Sequence, residues 1–83
     1  MEEEIGKVTH YFNHLNVAII ELSKGLKKGD TIHIQGYTSD WTQTAEEMQV
    51  EHETIEEAKK GQVIGLKVKD HAREGDSIYL VKD

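Results

Sequence analysis

The sequence has no cysteine and no proline, and its aromatic complement is one tryptophan, three tyrosines and one phenylalanine. Without thiols, disulfides, thiolate metal centres and cysteine nucleophiles are excluded. Without proline, one common device for blunting an exposed strand edge is missing. Long apolar runs are absent too: the longest, Val17-Ala18-Ile19-Ile20, falls far short of the roughly 20 residues that a membrane-spanning helix needs. No signal-peptide layout opens the chain. These absences predict a soluble cytoplasmic protein with no membrane partner. At 83 residues the chain is expected to form a single domain over residues 1–83, too small for a second core or a deep catalytic cleft.

Positive charge is also scarce. The formal net charge is −6, whereas nucleic-acid-binding domains usually carry net positive charge because phosphate contacts dominate their affinity. The charge is unevenly placed. Glu46, Glu47, Glu51, Glu53, Glu56 and Glu57 form an acidic block, while Lys24, Lys27 and Lys28 form one basic cluster and Lys67, Lys69 and Arg73 another. Such clusters are either solvated turns and edges or a dedicated binding face.

What is present is a repeated phrase. KKGDTIHI begins at Lys27, KKGQVIGL at Lys59 and REGDSIYL at Arg73. Each copy places a charged pair before a glycine and then alternates apolar residues with the period of a half-buried strand. Gly29, Gly61 and Gly75 are expected to take the positive φ that lets the chain reverse before each strand. Asp30 and Asp76, which follow two of these glycines, are expected to accept backbone hydrogen bonds at the turns. Strands are predicted over residues 4–12, 16–22, 30–36, 63–69 and 77–81. Residues 42–60 are ambiguous. Ala45, Met48, His52 and Ile55 have helical spacing, with Glu56 and Lys60 paired at i,i+4. Against that, Trp41-Thr42-Gln43-Thr44 favours a strand, with a bulge near Glu46-Glu47. The architecture expected is all-β, a small closed antiparallel Greek-key-like barrel of about six strands.

With these elements placed, GKVTHYF (6–12), VAIIELSKGLKKGDTIHIQG (17–36), TQTAEEMQVEH (42–52), EEAKKGQVIGLKV (56–68) and REGDSIYLV (73–81) together resemble the second domain of translation elongation factors, the β-barrel that follows the GTPase domain in elongation factor Tu. The same barrel is similar to a C-terminal domain of some collagenase-like peptidases. The resemblance implies that the middle segment is a long bent strand over residues 42–53, with about one helical turn over 55–60. It also implies a module whose partner is tRNA or ribosomal RNA. The residues that carry it are core positions and turn glycines, which build a barrel without specifying a ligand.

The chemistry-bearing residues are few. Gly25-Leu26-Lys27-Lys28-Gly29-Asp30-Thr31 only echoes a nucleotide-binding loop: no lysine follows its second glycine, and Asp30 would oppose the phosphates. No bound nucleotide is expected. His10 ends a strand and His14 lies in the turn after it, too far apart in extended chain for one ion to bridge, so no metal and no other cofactor is expected. No serine lies in a Gly-x-Ser-x-Gly elbow, and the chain reads as not an enzyme. Two groups remain. Tyr37 and Trp41 flank the polar loop 38–40 and form either a stacking platform for a base or aminoacyl group or, through Trp41, a cap on the barrel end. Lys67, Lys69, His71 and Arg73 form either a polyanion contact or a wet edge whose lysines discourage strand pairing. The function expected is therefore a non-catalytic, translation-factor-like binding module that contacts RNA or a ribosome-associated factor and has no GTPase activity of its own. The alternative is a protein-interaction module that docks its acidic strand or an apolar edge onto a larger partner enzyme.

Overall fold

The repeated phrase is a repeated turn. The computed structural model describes residues 2–81, and in it Gly29, Gly61 and Gly75 have φ of +98°, +88° and +91°. At each site the residue after the glycine donates its N–H to the carbonyl three residues back: Asp30 to Lys27 at 3.1 Å, Gln62 to Lys59 at 3.1 Å and Asp76 to Arg73 at 3.0 Å. A β-turn with positive φ at its third residue is the type II geometry that glycine favours. The side chain of the same residue then reaches back to accept the first residue's N–H. Asp30 Oδ2 lies 2.9 Å from Lys27 N, Gln62 Oε1 2.7 Å from Lys59 N and Asp76 Oδ2 2.9 Å from Arg73 N. The chain thus says nearly the same thing three times because it starts a strand from the same doubly bonded turn three times.

The strands are β1 (Glu2–Phe12), β2 (Val17–Leu22), β3 (Leu26–Lys27), β4 (Thr31–Gln35), β5 (Asp40–Thr44), β6 (Met48–Val50), β7 (Glu53–Ile55), β8 (Glu57–Ala58), β9 (Val63–Lys67) and β10 (Ser77–Val81). They form an eight-stranded sheet, ordered β5-β4-β10-β1-β2-β9-β6-β7, and a separate pair, β3-β8. β1 lies between β10 and β2, and its register shifts between Glu4 and Gly6 on one side and between Val8 and His10 on the other. Such irregularities let a long strand bend. The inner face is packed with Ile5, Val8, Ala18, Ile20, Ile32, Ile34, Met48, Ile64, Leu66 and Ile78, all essentially inaccessible to water.

The expectation of a closed barrel of about six strands is corrected here. The sheet has two edges, β5 and β7, that do not pair with each other. Where β5 nears the end of β9, one side chain replaces the ladder: Gln43 Nε2 donates to Lys67 O at 3.1 Å, and Lys69 N donates to Gln43 Oε1 at 3.0 Å. Sequence periodicity fixes which face of a strand is buried but carries no signal for whether two distant edges pair.

The middle segment is corrected as well. In place of a strand over 42–53 and a helical turn over 55–60, the chain forms β5, β6, β7 and β8 in succession. β6 and β7 are joined by a hairpin whose central residues, Glu51 and His52, have φ of 51° and 66°. Two central residues with positive φ are the signature of a type I′ turn, which favours Asn-Gly. Glu-His does not announce it. The region read as helical instead supplies Ala58, which is fully buried and pairs with the buried Leu26. Lys28 N also donates to Glu56 O at 2.8 Å. Two-residue strands such as β3 and β8 are too short to show a period.

Candidate functional site: a loop-end groove and an apolar outer face

Loops 36–39 and 68–76 meet at one end of the sheet. Their junction rests on Asp76, whose carboxylate is buried and bound to Arg73 N. A Cβ at Gly36 would overlap that carboxylate, so only glycine lets the two loops come so close. The buried Ser39 adds a second tie, with its Oγ 3.5 Å from His71 O. The structure thereby brings Trp41, His71 and Arg73 into one groove of about 300 Å³, which Thr38, Asp40 and Asp70 complete. Trp41 is half-buried against the core and donates its indole N–H to Gln43 Oε1 at 2.9 Å. The His71 ring lies 4.5 Å from that of Tyr11. Tyr37, at the tip of the first loop, is fully exposed.

Lys67 and Lys69 are placed apart from this groove. β9 ends at Lys67, so the two lysines do not project from one strand as the alternation to residue 69 implied. They line a separate slot of about 430 Å³ with Gln43, Thr44, Glu46 and Glu47. There the Lys67 ammonium lies 3.8 Å from the Glu47 carboxylate. Among the described residues, no group of three or more histidine, aspartate or glutamate side chains converges as a metal site.

Two features escaped the sequence reading. The first is His33 on β4. Its Nδ1 lies 2.9 Å from both carboxylate oxygens of Glu2 on β1, and its Nε2 lies 2.5 Å from Asp40 Oδ1 at the start of β5. A doubly protonated ring donates to both carboxylates. Hydrogen bonds to Glu2 and then to Asp40 raise the pKa of His33 above its ordinary value, against a weaker opposing effect of burial. A histidine at an outward position of a strand gives no sequence sign of partners 31 and 7 residues away.

The second is the outer face of β1, β2 and β9. Phe12, Leu15 and Val63 are 42%, 62% and 51% exposed. With Val17 and Ile19 they line a groove of about 530 Å³. Gly65 forms its floor, since a Cβ there would meet Val17 Cγ1 at 3.3 Å. The signal was present in the run Val17-Ala18-Ile19-Ile20. Side chains alternate across a strand, so an unbroken apolar run makes both faces apolar: Ala18 and Ile20 are buried inside, while Val17 and Ile19 are half-exposed outside.

Comparison with known proteins runs to peptidases. The chain is 43% identical over 81 residues, 96% of its length, to an uncharacterized protease of Methanocaldococcus jannaschii. It is 42% identical over 77 residues, 90% of its length, to a collagenase of Porphyromonas gingivalis. It spans only 20% and 21% of the length of these relatives. The fold matches the crystal structure of the C-terminal domain of a U32 peptidase of Geobacillus thermoleovorans, with a TM-score of 0.89, 20% identity, and coverage of 96% of this chain and 93% of that one. The selenomethionine variant of that domain gives a TM-score of 0.86 at 22% identity, covering 92% and 96%. No known family profile matches the chain.

These likenesses overturn the elongation-factor resemblance, and with it the reading of a translation-factor-like, RNA-binding module of protein biosynthesis. They also overturn the reading that the chain is not an enzyme, since its relatives carry the names protease and collagenase. The reason for the error is physical. Turn glycines and inward apolar residues specify a fold, and one fold serves many functions. Among the described residues no helix is long and apolar enough to cross a membrane.

Proposed function

We propose that the chain is the β-module of a U32-type peptidase and that it docks through the outer face of β1, β2 and β9 onto the catalytic portion of that enzyme. The observation that carries this reading is the asymmetry of the match: 96% of this chain corresponds to 20% of a protease, so in that relative the module sits beside a much larger body. The apolar groove of Phe12, Leu15, Val17, Ile19 and Val63 supports the choice of face, because exposed apolar patches rimmed by polar residues mark interaction surfaces. Glu51 and Lys67 at its margin would set register more than affinity.

The M. jannaschii relative, with the segment it shares with this chain deleted, is the partner for a test. Co-expressed with this chain, it should co-purify in a stable complex. Leu15→Glu with Val63→Glu should abolish the complex while lowering the thermal midpoint of the chain only slightly, since both positions are exposed and the main cost is a second carboxylate opposite Glu21 on β2. A complex that survives both substitutions would show that another face docks. Absence of any complex with a monodisperse deleted protease would overturn the proposal.

A further inference from the structure

The loop-end groove shares no lining residue with the apolar face, so the docking proposed above leaves it unassigned. We propose that it is a peptide-binding site, taking an extended segment that presents a carboxylate beside a flat apolar side chain such as proline or an aromatic. That the ligand is a peptide rests on the peptidase reading; the chemistry of the groove stands on its own residues.

The cation comes first. Arg73 is the only arginine in the chain. It lines the groove, and its guanidinium has no ion pair among the described residues. A guanidinium presents a planar fork of donors that fits a carboxylate through two parallel hydrogen bonds. The flat surfaces come next. The single N–H of Trp41 is already satisfied by Gln43, so what the indole can still offer a ligand is its apolar ring surface. Tyr37 stands fully in water at the adjacent loop tip, where it contributes nothing to the core. A tryptophan and a tyrosine beside a cation are the side-chain types that dominate recognition hot spots, and aromatic-lined grooves take proline-rich or extended peptides.

The remaining groups narrow the ligand. Asp40 and Asp70 also line the groove, the first held by His33 at 2.5 Å and the second capping His71 N at 2.8 Å. Two carboxylates beside one arginine disfavour a phosphate backbone, whose affinity grows with each cation it meets. A single ligand carboxylate needs only the one fork that Arg73 offers, and Asp40 is already held by His33. The walls are also preassembled. Gly36 N donates to Ser39 O at 2.8 Å, Ser39 is tied to His71 O, and Lys69 N is fixed by Gln43. Binding would therefore order little more than the ligand and the Tyr37 side chain.

The test follows backbone amide shifts of the isotope-labelled 83-residue chain during titration with acetyl-Gly-Pro-Tyr-Glu-Gly-amide, with its Glu→Gln counterpart as control. The proposal expects saturable shifts confined to residues 37–41 and 69–73. Affinity should fall about tenfold or more for the Gln peptide and, with the Glu peptide, for Arg73→Gln, with partial recovery in Arg73→Lys. The Leu15→Glu/Val63→Glu variant should bind the Glu peptide unchanged, so a failure of docking and a failure of this site are read separately. No saturable shift at about 5 mM peptide, equal affinity for the two peptides, shifts confined to the apolar face, or saturation of the groove by an RNA oligonucleotide in place of the peptide would each overturn it.

Discussion

The outer surface of the large sheet divides into two halves that treat water differently. On the half formed by β4, β10 and the start of β1, His33 is only 15% exposed in its side chain yet bound to carboxylates at both ring nitrogens, and Tyr79 lies beside it with ring centroids 6.2 Å apart. That half satisfies itself. On the half formed by the end of β1, β2 and β9, Phe12, Leu15 and Val63 are left 42–62% exposed. The difference teaches that an outward-facing strand position is not automatically a solvent position. Where polar groups find each other across strands, the surface is complete; where apolar groups stand in a row, it is unfinished without a partner.

The inner face, common to both halves, sets the scale against which either can be broken. Replacing the fully buried Ile34 or Leu66 with Ala should cost about 2–5 kcal/mol, read by denaturant unfolding. In so small a domain that threatens the fold itself, whereas Leu15→Glu/Val63→Glu on the outer face should leave the same curve almost in place. A similar loss from the outer pair would erase the distinction between the faces.

The turn at the margin of the apolar half sharpens the comparison in the opposite direction. Glu51 and His52 hold left-handed backbone without the residues that favour it, a conformation that costs about 1–2 kcal/mol per residue. Glu51→Asn with His52→Gly should raise stability by about 1 kcal/mol, measured as a higher denaturant midpoint at unchanged slope.

The polar half is tested by pH. Because the folded-state pKa of His33 is raised, its contribution to stability is fully present below the unfolded value of about 6.5 and is lost as pH rises through the raised folded value. The thermal midpoint of the wild type should therefore fall over that window, and His33→Gln should flatten the fall. An identical pH profile in the two proteins would remove His33 from the account.

How much of this was legible in the chain depends on the range of the interaction that decides it. The turns at Gly29, Gly61 and Gly75 and the inward positions Ile32, Ile34, Ile64, Leu66 and Ile78 are written in the sequence, because glycine at positive φ and alternation along a strand act within a few residues. Trp41, His71 and Arg73 could be named as candidates by type, but their convergence could not be read. It depends on the Gly36–Asp76 packing and the Ser39–His71 bond, which join segments more than 30 residues apart. The His33 bridge, the Gln43 seam and the openness of the sheet were hidden for the same reason. The I′ hairpin at Glu51-His52 was hidden for the opposite one: a local conformation adopted by residues that do not favour it.

The sequence by itself determined where the repeated turns lie, that a strand follows each of them and which side chains of those strands face the core, since each follows from local backbone preference and from the free energy of taking alternate residues out of water. Only the tertiary structure decided that the sheet stays open, that one arginine and one tryptophan share a groove, and that Phe12 and Val63 come to lie beside Val17 and Ile19. Those outcomes belong to pairings between distant strands, and no window of a few residues contains the geometry that selects them.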